Sequence, residues 1–289
     1  MDFRHTVVLP GTAEKTQTGQ GTIFFIGNAT ILLRYAGFTI LTDPNFLHRG
    51  DHVHLGYGMK ATRLHNPAME LSELPPLDMV LLSHLHEDHF DRGVARDLDK
   101  ATPITTTPKA AEALRKKMHF YRLYPLDTWQ SLTLEKGEQR LNITAMPGKH
   151  GPGPLNPLLP PVMGSMLEFE VPGHKTLRMY ITGDTLMHKG LREIPKRYHD
   201  IDMALLHLGG TRMLKVMLTM DAGQGVKMIQ LINPRTAIPV HYNDYSVFTS
   251  PLSDFQAEAE KAGLANRVHY LKRGDTYTFE APAATDAGR

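Results

Sequence analysis

The 289-residue chain is 41% hydrophobic and 21% charged, with 24 Gly and 20 Pro, which excludes a mainly disordered, collagenous or coiled-coil protein. Its 32 basic and 30 acidic side chains leave a formal charge of +2, and the basic residues are scattered, so a duplex nucleic-acid binder is not expected. With no cysteine, disulfides, thiolate metal sites, iron-sulfur clusters and a Cys nucleophile are all removed, and any metal must be held by His and carboxylate.

No run approaches ~18 apolar residues, and the opening MDFRHTVVLPGTAEKTQ has no signal-peptide pattern, so a cytoplasmic chain without an integral membrane segment is expected. No repeat or low-complexity linker divides the sequence. The expectation is therefore a single domain over 1–289, with a core of about 22–280 and peripheral or flexible segments at 1–21 and 281–289.

In chain order, TIFFIG (22–27), TILLRY (30–35) and FTILT (38–42), separated by turns carrying Gly27, Asn28 and Gly37, read as an antiparallel meander. Residues 47–65, with His48, His52, His54 and Tyr57, read as a loop over whatever site Asp43 serves. DMVLLS (78–83) is a short apolar run suited to a strand buried on both faces. Thr107 and Pro108 predict the start of a helix over KAAEALRKKM. Further strands are predicted at LNITAM (141–146), LRMYIT (177–182), DMALLH (202–207) and TAIPV (236–240). Asp221 with Gln224 opens a helix stopped by Asn233-Pro234, and Ser253 with Gln256 predicts a capping box for a last helix ended by Gly263. Strands and helices thus alternate mainly in the later two thirds, giving an α/β layered architecture.

The decisive segment is SHLHEDHFD, which puts His84, His86, Asp88 and His89 directly after the strand DMVLLS. With 16 His and 17 Asp in the chain, H-x-H-x-D-H arises by chance in about three of a thousand such sequences. Residues two apart on an extended segment point the same way, so His84 and His86 can converge on one ion while Asp88 and His89 face a neighbouring position. A merely solvated turn gives no reason to crowd four ligand-type side chains together; a metal does. Asp43, His150, Asp184 and His241 each follow a predicted strand as well. Ligands gather at the carboxyl ends of strands in open α/β sheets, so these side chains are expected along one edge.

This set resembles the metallo-β-lactamase-fold hydrolase superfamily, in order from about residue 22 to 280. The resemblance implies an αββα sandwich with two divalent metal ions, zinc first, with manganese or iron also suited to nitrogen and oxygen donors. It places His84, His86 and His150 at one position and Asp88, His89 and His241 at the other, with Asp184 bridging and Asp43 supporting the site without being a principal ligand. Within the superfamily, GNATILLRYAGFTILTDPNF and IPVHYNDYSVF are similar to the branch holding the ascorbate-phosphate lactonase and the phospholipase D that hydrolyses N-acyl-phosphatidylethanolamine. Members of that branch often carry His where this chain has Asn28. His86 stands where a Glu would mark the superfamily's di-iron flavoproteins, and the length leaves no room for a flavodoxin domain.

The implied activity is hydrolysis of an ester, lactone or phosphodiester by a hydroxide bridging the two ions, oriented by Asp88 and Asp184. His207, at the end of DMALLH, is a candidate proton donor, equally readable as a satisfied histidine capping a buried strand. Arg212 and Lys215 can meet an anionic substrate group or stay solvated. The loop GPGPLNPLLPPVMG (151–164) and Met213, Met217 and Met220 can wall an acyl-binding pocket, or Leu158, Leu159 and the Met residues can be core or oligomer packing. The expected partner is a small molecule with an anionic or acyl portion. A mononuclear iron oxidoreductase using His84, His86 and His150, and a non-catalytic ligand-binding module, are the rival readings.

Overall fold

A computed structural model describes residues 4–10, 19–55, 58, 60–153, 159–213 and 216–281. In chain order its strands are β1 (Arg4–Val8), β2 (Gln20–Gly27), β3 (Thr30–Tyr35), β4 (Phe38–Thr42), β5 (His52–His54), β6 (Lys60–Thr62), β7 (Met79–Leu81), β8 (Ile104–Thr106) and β9 (Leu123–Pro125). These are followed by β10 (Ser131–Lys136), β11 (Gln139–Pro147), β12 (Met163–Glu170), β13 (Leu177–Ile181), β14 (Met203–His207), β15 (Arg212–Met213), β16 (Val216–Met217), β17 (Thr236–Val240) and β18 (Thr276–Glu280). The helices are α1 (Arg92–Asp97), α2 (Pro108–Met118), α3 (Ile194–Arg197), α4 (Ala222–Ile232) and α5 (Leu252–Lys261).

Two seven-stranded sheets carry the fold, in the orders β18-β2-β3-β4-β7-β8-β9 and β1-β10-β11-β12-β13-β14-β17. The period-2 geometry of a strand decides how they pack. Met79 and Leu81 of β7 enter the cluster between the sheets with Ile31, Leu33, Ile40, Leu167 and Phe169. Val80 of β7 and the following Leu82 turn the other way, against Val94 of α1 and Ala111 and Leu114 of α2. On the second sheet, Met203 and Leu205 of β14 face inward, while Ala204 and Leu206 meet Val226, Met228 and Ile229 of α4 and Phe255 of α5. Unbroken apolar runs therefore mark strands buried on both faces, and the four layers form the αββα sandwich of the metallo-β-lactamase fold.

Helix punctuation follows local chemistry. The Thr107 hydroxyl accepts from Ala110 N, with Pro108 at the first helical position of α2, and Asp221 Oδ1 accepts from Gln224 N at 3.0 Å to start α4, which ends on Asn233 at φ +49. The last helix departs from expectation. It begins at Leu252 after Pro251, without a side-chain cap from Ser253; Asn243 Oδ1 from a distant turn accepts from Leu252 N instead, at 3.4 Å. Gly263 does follow its end, at φ +71.

The chain start adds an edge strand. Arg4–Val8 pairs parallel with β10 at the sheet edge, and Leu9 is buried in the inter-sheet core. Residues 282–289 and most of 11–21 lie outside the described residues. Among the described residues, no helix is long and apolar enough to cross a membrane.

Candidate metal centre

The strand directions bring the predicted residues to one edge. β4 and β7 run parallel in the first sheet. In the second, β13, β14 and β17 run parallel, and β11 shares their direction because β12 is antiparallel to both β11 and β13. Asp43 follows β4, the 84–89 segment follows β7, and His150, Asp184 and His241 follow β11, β13 and β17, while His207 closes β14. Two of these corners are conformationally demanding. Asp43 and His241 lie at φ +35 and +59, a region non-glycine residues seldom adopt. Gly183, at φ +60, turns the chain ahead of Asp184, and a Cβ there would sit 2.6 Å from Met163 O.

The donor atoms form three adjoining groups: His84, His86 and His150 in the first, Asp88, His89, Asp184 and His241 in the second, and Asp43 with His207 in a third that shares His89. In the first, His84 Nε2 and His150 Nε2 lie 2.9 and 3.3 Å from His86 Nδ1. Tetrahedral coordination at ~2.0 Å sets ligand nitrogens ~3.3 Å apart, so this spacing fits a shared ion. In the second, His89 Nε2 lies 3.2 Å from His241 Nε2 and 3.6 Å from Asp88 Oδ2. Asp184 Oδ2 sits between the first and second groups, 3.2 Å from His89 Nε2 and 4.0 Å from His84 Nε2. Asp88 Oδ1 and Asp184 Oδ1 are buried without a hydrogen-bond partner among the described residues, an arrangement that is costly unless a cation compensates it.

The ring nitrogens turned away from the centre are also engaged. His84 Nδ1 meets Ser83 Oγ at 3.0 Å. His150 Nδ1 meets the carbonyls of Asp184 and Leu218 at 3.3 and 3.2 Å, and His241 Nδ1 meets that of Leu208 at 3.1 Å. A carbonyl only accepts, so His150 and His241 carry their proton on Nδ1 and turn the Nε2 lone pair to the centre. Asp43 serves the same end for His89. Its Oδ2 lies 3.2 Å from His89 Nδ1 and 3.3 Å from His207 Nε2, and its Oδ1 accepts from Ser83 N at 2.7 Å.

Charge follows from these contacts. Burial alone would raise the Asp43 carboxyl, but the His89 and His207 imidazoles outweigh it and pull the pKa down to about 2. Burial likewise opposes charge on His89, yet Asp184, Asp88 and Asp43 hold it well above the usual histidine range. Burial dominates at His84, reinforced by His89, and drives it well below that range. At His86, burial and the neighbouring His150 bring the pKa to about 4.

A stability prediction comes from His86. Its folded pKa is depressed from 6.5 to about 4, so between those values the unfolded chain binds the proton and the folded chain does not. Stability is therefore full above 6.5 and falls as pH drops towards 4. At ~1.4 kcal/mol per unit, the loss is ~3 kcal/mol. Urea unfolding of the metal-stripped protein at pH 7 and pH 4 should show His86→Gln escaping about that much of the wild-type loss.

Several expectations change at this level of detail. His207 is buried, with Nε2 on Asp43 and Nδ1 3.3 Å from Thr182 Oγ1. Both ring nitrogens are thus engaged within the protein, as in a satisfied histidine capping a buried strand. His48, His52 and His54 contact Glu70, Thr62 and Glu87, and none belongs to a donor group; their segment includes the β5-β6 ribbon rather than only a loop. Arg212 faces Asp221 at 3.7 Å. Met220 packs in the core under α4 and α5, Met217 Sδ accepts from Gln224 Nε2, and Leu159 is buried. Tyr57, Leu158 and Lys215 lie outside the described residues, as does the side chain of Met213.

The family described as Beta-lactamase superfamily domain matches residues 39–242. The chain belongs to the beta-lactamase superfamily. Among superfamily relatives, it is 27% identical over 199 residues to a UPF0173 metal-dependent hydrolase of Nanoarchaeum equitans, covering 67% of this chain and 83% of that one. It is 23% identical over 295 residues to the mitochondrial N-acyl-phosphatidylethanolamine-hydrolyzing phospholipase D of Saccharomyces cerevisiae, covering 94% of this chain and 59% of that protein's length. The fold is similar to that of the isothiocyanate hydrolase from Delia radicum gut bacteria, with a TM-score of 0.75 at 22% identity over 90% of this chain and 100% of that one. A metallo hydrolase from Ignicoccus hospitalis gives a TM-score of 0.65 at 22% identity, over 90% and 99% of the two chains.

The sequence alone does not reveal the part played by two asparagines behind the donors. Asn28 Nδ2 donates to Asp88 O at 2.8 Å, and Asn45 Nδ2 donates to Glu87 O at 2.8 Å. Both lie in the GNAT and DPN stretches that marked the branch resemblance. Asn28 therefore buttresses the donor segment through its backbone, at the position where a His was noted for other members.

Proposed function

We propose that this chain is a metal-dependent hydrolase with two divalent ions, zinc first, held by His84, His86 and His150 at one position and Asp88, His89 and His241 at the other, with Asp184 shared. The observation that carries this reading is the single carboxylate oxygen of Asp184 standing between two separate donor groups. Ions held there would supply water with a pKa lowered from 15.7 towards ~7 and would polarise a carbonyl or phosphoryl oxygen.

The protein's own share is orientation. Leu208 O and the carbonyls of Asp184 and Leu218 fix the tautomers of His241 and His150, and Asp43 fixes that of His89. Asp88 and Asp184 stay ionised, since neighbouring imidazoles outweigh the effect of burial on both, and supply the negative charge that balances a cation. His86 is only partly buried while the other donors are buried, so substrate is read as approaching over His86. The Phe248 ring, 4.6 Å from that of His241, lends an apolar edge to the site.

The proposed bond is an ester, lactone or phosphodiester in a small molecule with an anionic or acyl portion. Support comes from the relative named for hydrolysing N-acyl-phosphatidylethanolamine. The test is a panel of lactones, phosphodiesters, phosphomonoesters and acyl esters, run after separate reconstitution with zinc, manganese and iron. Turnover of one class, abolished by chelator and restored by metal, is the expected result. No turnover anywhere, or dioxygen uptake with one iron per chain, would overturn it.

A further inference from the structure

Behind the second donor group lies an ion pair that touches no donor atom. Arg63 and Asp244 are both fully buried, with Nη2 3.6 Å from Asp244 Oδ1, and Arg273 Nη1 donates to the same oxygen at 3.1 Å. The guanidinium donates from Nε to His65 O at 2.9 Å and from Nη1 to Asn45 Oδ1 at 3.0 Å. Tyr245 also donates its hydroxyl to Asn45 Oδ1, at 2.9 Å, and Arg63 lies over its ring. Asp244 Oδ2 accepts from Asn28 N at 3.0 Å. A Cβ on Gly27, at φ +143, would lie 3.0 Å from Arg63 Nη2 and 3.2 Å from Arg273 Cδ, so the turn is shaped around the two arginines.

Each end of this network reaches backbone of the second donor group. Arg63 and Tyr245 orient Asn45, which holds Glu87 O. Asp244 orients Asn28, which holds Asp88 O through its side chain and accepts from His241 N through its own carbonyl at 2.7 Å. The chain beside Asp88 and His89 and the chain at His241 are thereby set relative to each other from behind. The first donor group is braced differently, by Ser83 Oγ on His84 and main-chain carbonyls on His150. Arg63 Nη2 is buried without a hydrogen-bond partner among the described residues, so net stabilisation is a weak reason for sequestering this pair, and the geometry it imposes is the stronger one.

We propose that the Arg63–Asp244 pair is a positioning device for one metal position: it sets the affinity of the Asp88, His89 and His241 group and leaves that of His84, His86 and His150 unchanged. This rests on the two-ion reading above. The test is titration of the metal-stripped full-length protein with cobalt(II), followed by visible absorption, with chelator competition resolving the first and second equivalents. In Arg63→Met the second equivalent should bind about 10- to 100-fold more weakly, as for loss of other supporting residues, with the first unchanged.

Arg273→Met removes a part-exposed partner of the same carboxylate and should weaken the second equivalent in the same sense by a smaller factor. If Arg63→Met does not fold, Arg273→Met decides alone. Equal weakening of both equivalents, as a general loss of structure would produce, or wild-type binding of both, overturns the inference while leaving the two-ion reading intact. A wild-type protein that binds fewer than two equivalents overturns that reading, and this inference with it.

Discussion

Asp184→Asn and His84→Ala should each lose hydrolysis by at least ~10³-fold in kcat/KM, about 4 kcal/mol of transition-state stabilisation, and lose metal at the same time. Asp184 Oδ2 is the atom shared by the two donor groups, and an amide in its place cannot serve both. It offers one oxygen instead of two, presents N–H groups towards an intended cation, and removes a negative charge from a buried cluster of imidazoles. His84→Ala leaves only His86 and His150 in the first group, one donor short of the three protein ligands common in catalytic zinc sites. Elemental analysis after dialysis, paired with kinetics on whichever substrate the panel identifies, reads both effects. Full activity with full metal content in either variant is the opposite result.

Asp43→Asn should be nearly as damaging, by about 10² to 10⁴ in activity, although Asp43 is not placed among the ligands of either proposed position. Its Oδ1 accepts from Ser83 N, so an asparagine there would keep its oxygen on that amide and turn its NH2 towards His89 Nδ1 and His207 Nε2. Both ring atoms would then have to accept. His89 would move its proton to Nε2, the nitrogen facing Asp184 and His241, and could no longer offer a lone pair there. Replacing a carboxylate that orients a histidine by an amide costs about 10⁴ in serine proteases for the same tautomeric reason. The expected signature is selective loss of the second metal equivalent, with the first retained. Loss of neither equivalent would show that Asp43 does not set the tautomer.

Much of this was legible in the sequence because the fold repeats one simple arrangement. TILLRY and FTILT coincide with β3 and β4 to the residue, since short, nearly continuous apolar runs and the Ala36-Gly37 turn between them leave little choice of boundary. Asp221 and Thr107 mark helix starts because an unsatisfied first turn needs an oxygen at that place. Placement of the donors at strand ends followed from the same logic.

What stayed hidden depended on contacts distant in sequence. Arg63 is 181 positions from Asp244 along the chain, and nothing around TRLH distinguishes a buried guanidinium from a solvated one. Ser253 had the spacing of a capping box, but the helix took its cap from Asn243, which no local pattern announces. The short strand Arg4–Val8 was obscured by the polar segment behind it, although Val7, Val8 and Leu9 carry a weak apolar signal. His207 was correctly placed at the edge, but its partners could only be identified in three dimensions.

The two sheets contribute unequally named but complementary halves of each candidate position. His84 and His86 stand on the first sheet and His150 on the second; Asp88 and His89 stand on the first, Asp184 and His241 on the second. An ion at either proposed position would thus clasp the seam of the sandwich, joined to both leaves. Its binding energy would become cohesion between the leaves, ~2.7 kcal/mol when free metal stands at a hundred times the dissociation constant. Starved of metal, the molecule would keep its apolar core between the leaves and lose that added cohesion at the edge where the donors meet.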